Sequence, residues 1–283
     1  MRIGCHVSVA KGYAAAVRDA HDLGADGLQY FTKNPRGFRG QKALNREDAE
    51  RGRSLMEQWD VVSIGHAPYL INLASPDDEL FRLSVEALTQ DLVIGQARGS
   101  FGVVVHCGKP KTMGLEYGIR RMQDGIRQVL SRAVKDDIWL LLENTAGQGS
   151  EIGYTVEQLL AIAQPFSAQQ VGFCLDTQHA FAAGIWDPND PAGISALSQP
   201  SFRDRLYAVH FNDSKVPFGA RKDRHQLIGR GTMGEAMLKA VLTDPRLADI
   251  PFFLETPVDR QPQYADEIQR CRQLLSSGTD PAP

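Results

Sequence analysis

Residues 138–144, IWLLLEN, form an unbroken apolar run that closes on a carboxylate and an amide. A strand with one face in water alternates apolar and polar side chains, whereas an unbroken run needs cover on both faces. That is the pattern of a parallel strand with helices packed outside it. Seven further runs of this kind recur at intervals of a few tens of residues: RIGCHVS from 2, GLQYF from 27, VVSIGH from 61, GVVVHC from 102, VGFCLD from 171, LYAVHFND from 206 and PFFLET from 251. Segments of helical period lie between them, among them YAAAVRDAHDLG, DDELFRLSVEALTQDLVIGQA, LEYGIRRMQDGIRQVLSRAV, TVEQLLAIAQ and MGEAMLKAVL, several opened by capping residues. Eight alternating units predict an α/β chain closed into a (β/α)8 TIM barrel. An open doubly wound sheet is the alternative, but it calls for a glycine-rich turn after the first strand, and GCHVSVAKGY does not fit GxGxxG.

Composition sets the bounds. The chain has 283 residues, 42% of them hydrophobic, enough for one large core. A single domain is expected over residues 1–276, followed by a flexible tail at 277–283 within the polar end SSGTDPAP. The formal charge of −3 gives no reason for broad attraction to nucleic acid, so any polyanion binding must be local. No apolar stretch resembles a signal peptide or reaches the length of a bilayer span, and a soluble cytoplasmic protein is the expectation. Cys5, Cys107, Cys174 and Cys271 show no CxxC spacing and read as buried free thiols of a reducing compartment.

In a barrel, chemistry gathers at the C-terminal ends of the strands. The third run closes on His66, the fourth on His106, the fifth on Glu143, the seventh on His210 and the eighth on Glu255, while the sixth delivers Asp176 with His179 three residues on. Asp223 and His225 sit in the loop after the seventh run, within ARKDRHQLIGRG. Any one of these has an ordinary explanation, since a strand-end Asp often caps the next helix and a lone His is often a satisfied core residue. Together they hold five of the seven histidines, and so many polar groups crowded at one rim are costly unless something compensates them. Metal ions are the natural compensator. At about four ligands per ion, these residues exceed one ion and imply two or three. Imidazole and carboxylate without thiolate suit zinc first, with manganese or iron as alternatives. Cys107 follows His106 directly and so points to the other face of the strand, away from the cluster. A cluster of ions roughly 3.5 to 4 Å apart is suited to phosphoryl transfer, with Asp176 and His179 serving different ions.

Further strings are specific: FTKNPRGF, HAPYLINLA, LLLENTAGQGSEIG, CLDTQHAFAAG, VHFNDSK, DRHQLIGRG and FFLETP, in order from about residue 3 to about 275. Together they resemble the endonuclease IV family of apurinic/apyrimidinic endonucleases, whose xylose-isomerase-like barrel holds three zinc ions and cuts DNA on the 5′ side of an abasic site. The resemblance implies that His66, His106 and Glu143 hold one ion, that Glu143 bridges to a second also held by Asp176, His210 and Glu255, and that His179, Asp223 and His225 hold the third. It implies in-line attack by a hydroxide held between the first two ions, with the third steadying the departing 3′ oxygen, and removal of 3′ blocking groups as a further activity. Damaged duplex DNA is the implied partner of a monomeric enzyme, with Arg36, Tyr69 and Leu70 filling the gap left by the extruded nucleotide and Arg224 approaching phosphate. The loop FTKNPRGFRGQK adds Lys33, Arg39 and Lys42 as local positive charge.

The chain departs from the family pattern in three places. Gln178 stands where Cys is common, HAPY replaces the more usual His-Asp-Ser-Tyr, and HCGK replaces His-Pro-Gly. None removes a ligand, so they bear on what surrounds the ions more than on the reaction. His6 is expected to support the ligands from behind, and His21 to lie on a helix surface. A sugar isomerase or epimerase on a similar barrel is the first rival and a non-catalytic lesion binder the second; neither explains Asp223 and His225 together with an intact ligand set.

Overall fold

The strands of the computed structural model, which describes residues 1–35, 37–38, 43–133, 137–191 and 194–276, close into one ring. In chain order the elements are β1 (Ile3–His6), α1 (Tyr13–Asp22), β2 (Gly27–Phe31), α2 (Arg46–Trp59), β3 (Val62–His66), α3 (Asp78–Ala97), β4 (Gly102–His106), α4 (Leu115–Arg132), β5 (Trp139–Glu143), α5 (Val156–Ala163), β6 (Val171–Asp176), α6 (Thr177–Ala183), α7 (Pro200–Arg203), β7 (Leu206–His210), β8 (Asp213–Ser214), β9 (His225–Gln226), α8 (Glu235–Leu242), β10 (Phe252–Leu254) and α9 (Tyr264–Ser276). Eight strands form a parallel closed barrel in the order β1-β10-β7-β6-β5-β4-β3-β2. The eight apolar runs are these eight strands. The expected tail at 277–283 lies outside the described residues.

The strand period of two decides what the barrel encloses. Ile64, Val104, Leu141, Cys174, Ala208 and Phe253 make a buried cluster of their own inside the ring. The alternate residues, such as Val103, Leu140, Leu142, Phe173, Val209 and Phe252, face outward into the main core under the helices. Gly4 and Gly27 leave room for the inner layer: a Cβ on Gly4 would lie 2.6 Å from the carbonyl oxygen of Gly27 and 2.8 Å from the Phe253 ring. Each of the six inner apolar residues stands two positions before one of His66, His106, Glu143, Asp176, His210 and Glu255. An apolar plug therefore floors a polar layer built by the same six strands.

Local chemistry starts the helices. Side-chain oxygens of Asn45, Asp77, Thr155 and Asp176 each accept the backbone N–H three residues on and cap α2, α3, α5 and α6. Asp176 thus does both things open to a strand-end carboxylate: its Oδ1 caps α6 on the N–H of His179 at 2.7 Å, while Oδ2 turns toward the barrel mouth. The short strands β8 and β9 pair antiparallel, Ser214 against His225, as a ribbon that carries the loop between them over that mouth. All four cysteines are buried and free; Cys107 Sγ packs against the loop before α5, where a Cβ on Gly153 would sit 2.5 Å from it, and donates to the Glu143 carbonyl at 3.5 Å. Among the described residues no helix is long and apolar enough to cross a membrane.

Candidate metal centre

Glu143, fully buried at the end of β5, is the middle of the polar layer. Its Oε2 lies 3.4 Å from His66 Nε2 and 3.1 Å from His106 Nε2, and its Oε1 lies 3.3 Å from His179 Nδ1 and 3.0 Å from His210 Nδ1. Four imidazoles, three from the ends of β3, β4 and β7 and one from the first turn of α6, thus converge on one carboxylate. Glu255, from the end of β10, reaches His210 Nδ1 at 3.2 Å. Asp223 sits 3.4 Å from His179 Nε2 and 3.6 Å from His225 Nε2, and His225 Nε2 lies 3.5 Å from Asp176 Oδ2.

Donor atoms within 4.8 Å of one another fall into overlapping groups: His66, His106 and Glu143; His66, His210 and Glu255; Glu143, Asp176, His210 and Glu255; and Asp176, His179 and His225. The first and third groups coincide with the two ligand sets expected for the first two ions. In the expected third set, Asp223 approaches both imidazoles, and Asp176 is grouped with them as well as with Glu143, His210 and Glu255.

Backbone and side-chain acceptors fix which ring nitrogen of each histidine faces inward. With the proton on Nδ1, His66 donates to the carbonyl of Ala67 at 2.7 Å, His179 to that of Asn144 at 2.9 Å and His225 to that of Glu255 at 3.3 Å. His210 is turned the other way and donates from Nε2 to Gln29 Oε1 at 2.7 Å. Each then presents its other nitrogen to the carboxylates as a lone pair, the arrangement that metal-ligating histidines adopt. Glu143 Oε2, His179 Nε2 and His225 Nε2 are buried with no hydrogen-bond partner among the described residues. Buried polar atoms left unpaired in this way are costly, and divalent cations held beside them would satisfy all three. The donor set fits.

The same crowding shifts the ionisation of the metal-free site. Burial raises the pKa of Glu143, but His106 and His210 overcome it and hold the carboxyl well below its ordinary value. For His179 and His210 burial lowers the pKa, and this is outweighed, by Asp176, Asp223 and Glu143 for His179 and by Cys174, Glu255 and Glu143 for His210, so both are raised well above the ordinary value.

The surrounding residues follow from the strand ends. Asn144, one residue after Glu143, accepts the N–H of Asp176 at 2.7 Å, and Asn212, two after His210, donates to Asp176 Oδ2 at 2.7 Å and accepts the N–H of Glu255 at 3.0 Å. Gln29 closes the gap at β2: its Nε2 donates to Glu255 Oε1 at 2.5 Å and lies 3.2 Å from His6 Nδ1. These three were not singled out in the sequence, although a polar residue inside or just past an unbroken apolar run was the available signal. His6 stacks on Phe31 with ring centroids 4.6 Å apart, and burial, outweighing the pull of Glu255, lowers its pKa to about 4. It is a neutral support reached through Gln29.

The expected DNA-contacting residues fare unequally. Tyr69 is 64% exposed and Leu70 40% exposed at the rim. The Tyr69 ring stands edge-on to Phe31 at 5.1 Å and over His66 and His106 at 5.9 and 6.1 Å. Arg224 is exposed between Asp223 and His225. Arg36, with Arg39 and Lys42, lies outside the described residues. Lys33 requires a correction: its ammonium is buried, pairs with Asp91 at 3.1 Å and donates to the carbonyl of Ala87 at 2.7 Å, so its charge is spent within the protein. An acid from α3, remote in sequence, was waiting for it.

Comparison with known proteins agrees with this geometry. A family model described as a xylose isomerase-like TIM barrel matches residues 17–274. A probable endonuclease 4 of Symbiobacterium thermophilum is 44% identical over 277 residues, covering 97% of this chain and 100% of that one. The crystal structure of endonuclease IV from Thermus thermophilus aligns with a TM-score of 0.88 at 36% identity, covering 98% of this chain and 100% of that one. A D-tagatose 3-epimerase-like protein aligns with a TM-score of 0.68 at 19% identity over 99% of this chain and 100% of that one, a likeness of fold alone.

Proposed function

The chain belongs to the endonuclease IV family, and on that premise we propose that it is a DNA-repair hydrolase cutting the phosphodiester bond 5′ to an abasic site to leave a 3′-hydroxyl and a 5′-deoxyribose phosphate. The observation that carries this reading is the buried layer of imidazoles and carboxylates centred on Glu143, with three of its atoms unpaired. We assign it three zinc ions per chain: His66, His106 and Glu143 for the first; Glu143, Asp176, His210 and Glu255 for the second; and His179, Asp223 and His225 for the third. Bound there, divalent ions would supply a water acidic enough to attack phosphorus near neutral pH and would neutralise charge on the phosphate and the leaving oxygen.

The chain's own residues do the placing. Glu143 offers Oε2 to His66 and His106 and Oε1 to His210, so one carboxylate can serve two ions. Asn212 holds Asp176 and Glu255 in register, while the Asn144 carbonyl and Gln29 Oε1 accept from His179 Nδ1 and His210 Nε2 and so leave the opposite ring nitrogens free to bind. Tyr69 and Leu70, exposed beside the first ligand set, fill the stack vacated when the abasic nucleotide turns out of the duplex, and Arg224 pairs with a phosphate. Arg36 is assigned to the same gap on the strength of the family motif. The reading carries with it a monomeric, cytoplasmic enzyme and a secondary activity on blocked 3′ ends.

A sugar isomerase or epimerase on a similar barrel has no use for a ribbon, β8 and β9, that brings Asp223 and His225 over the mouth. The test is zinc content per chain in protein purified without added metal, together with cleavage of a duplex carrying one abasic site. About three ions with incision on the 5′ side supports the assignment; one or two ions without incision overturns it.

A further inference from the structure

Gln178 occupies the first turn of α6, between Asp176 and His179, and is fully buried. Its carboxamide is used on both sides. Nε2 donates to the carbonyl of Lys222 at 3.1 Å and to Ser214 Oγ at 3.2 Å, and Oε1 accepts the N–H of Arg224 at 3.2 Å. Lys222 and Arg224 are the two neighbours of Asp223. One side chain therefore grips the backbone immediately before and immediately after a ligand, and through Ser214, whose Oγ donates to the carbonyl of Val216 at 2.7 Å, it also holds the start of the same loop.

Residues 215–224 span the mouth between β8 and β9. The far half of this loop is tied to α6 by main-chain bonds, Gly219 N–H to the Phe181 carbonyl at 3.2 Å and Arg221 N–H to the Ala182 carbonyl at 2.9 Å. Asp223 itself is 41% exposed at its side chain, and its N–H reaches Gln148 Oε1 at a long 3.4 Å. At the ligand end the Lys215 N–H donates to the Arg224 carbonyl at 2.9 Å, and Gln178 is the side chain that grips the backbone on both sides of Asp223. A thiol at this position has one weak donor and cannot reach three backbone and hydroxyl groups at once.

We propose that Gln178 is the positioning residue of the third ion: by bracketing Asp223 between Lys222 and Arg224, it holds the Asp223–His225 arm in binding geometry before the ion arrives. This rests on the reading that Asp223 and His225 are ligands. Outer partners of metal ligands are worth roughly 10- to 100-fold in affinity, and a pre-placed arm spares the cost of ordering a loop on binding.

The experiment is a titration of metal-free wild type and Gln178→Met with cobalt(II), followed by its visible absorption, and with zinc against a competing chelator. Methionine keeps length and apolar bulk but removes all three hydrogen bonds. The proposal expects the first two equivalents to bind Q178M as they bind wild type and the third to bind roughly 10- to 100-fold more weakly. Three equivalents bound with wild-type midpoints overturn it, as does a uniform weakening of all three. A wild-type chain that saturates at two ions overturns the three-ion reading and this inference with it, and is told apart because it is read on the wild type alone. Amide exchange on the metal-free wild type needs no variant: the Arg224 N–H is expected to be protected, and exchange at the rate of an open loop overturns the proposal.

Discussion

Glu143 is where the competition between protons and cations is settled. Without an ion its charge is balanced by imidazolium groups, since His179 and His210 have pKa values raised well above the ordinary value and Glu143 is held well below its own. Divalent ions need these nitrogens unprotonated, so binding must expel protons. Zinc affinity is therefore expected to rise with pH across the range above about 6.5, and calorimetry in buffers of different ionisation heat should show proton release; a pH-independent affinity would contradict the assigned ligands. For the metal-free chain the sign is opposite. A histidine with a raised folded pKa contributes stability that is full below its unfolded value and lost as pH rises through the folded one, so the metal-free protein should lose stability toward alkaline pH. Glu143→Ala removes the shared carboxylate. At least one ion per chain and about 10³-fold or more of the cleavage rate should go with it, checked by elemental analysis and a single-turnover assay.

Between elements, the loop after β2 is anchored to α3 by Thr32, Lys33 and Asp91. Thr32 Oγ1 donates to Asp91 Oδ1 at 2.5 Å beside the Lys33 pair. Burial raises the Asp91 pKa from 3.8 to about 6 against the pull of Lys33 and Thr32. The folded chain thus holds this proton more tightly than the unfolded one, and the associated stability is full below about pH 4 and lost as pH rises through about 6. The stability of wild type minus that of Asp91→Asn should fall by on the order of 3 kcal/mol between pH 4 and pH 7, measured by urea unfolding of both chains. A flat difference would mean that Asp91 is ionised throughout. Tyr69, on the neighbouring loop, stands exposed over His66 and His106 without bonding to them. Tyr69→Ala should weaken binding to abasic duplex about tenfold or more, a stacking loss, while zinc content stays unchanged; loss of metal would make it a structural residue instead. The elements themselves were legible because strand runs are short, apolar and end in a functional group. What the sequence hides is pairing across distance. Nothing in FTKN says that Lys33 meets an acid of α3, and nothing in DTQHA says that Gln178 will bracket Asp223.

On the scale of the whole molecule, the barrel makes the site readable because one register rule acts on six strands: the inner apolar residue and the ligand two places on share a face, so a layer of chemistry follows from a layer of packing. Loops obey no such rule, and there the reading was weakest. The charge pattern shows the consequence. A chain of net charge −3 has no field to draw DNA from a distance, and Lys33, counted among the cations of the β2 loop, is neutralised by Asp91. On the proposed reading the positive charge near the mouth is local, with Lys215, Arg221, Lys222 and Arg224 exposed in the loop between β8 and β9. Affinity for undamaged DNA should then depend weakly on salt, since each phosphate contact contributes a slope of about −0.9 in log K against log salt. A slope of about −2 to −4, measured by fluorescence anisotropy on metal-loaded protein, matches two to four phosphate contacts around the mouth. A slope near about −8 would require a broad basic surface that this chain's composition does not supply. Recognition would then rest on more of the barrel rim than the loops around Tyr69 and Arg224.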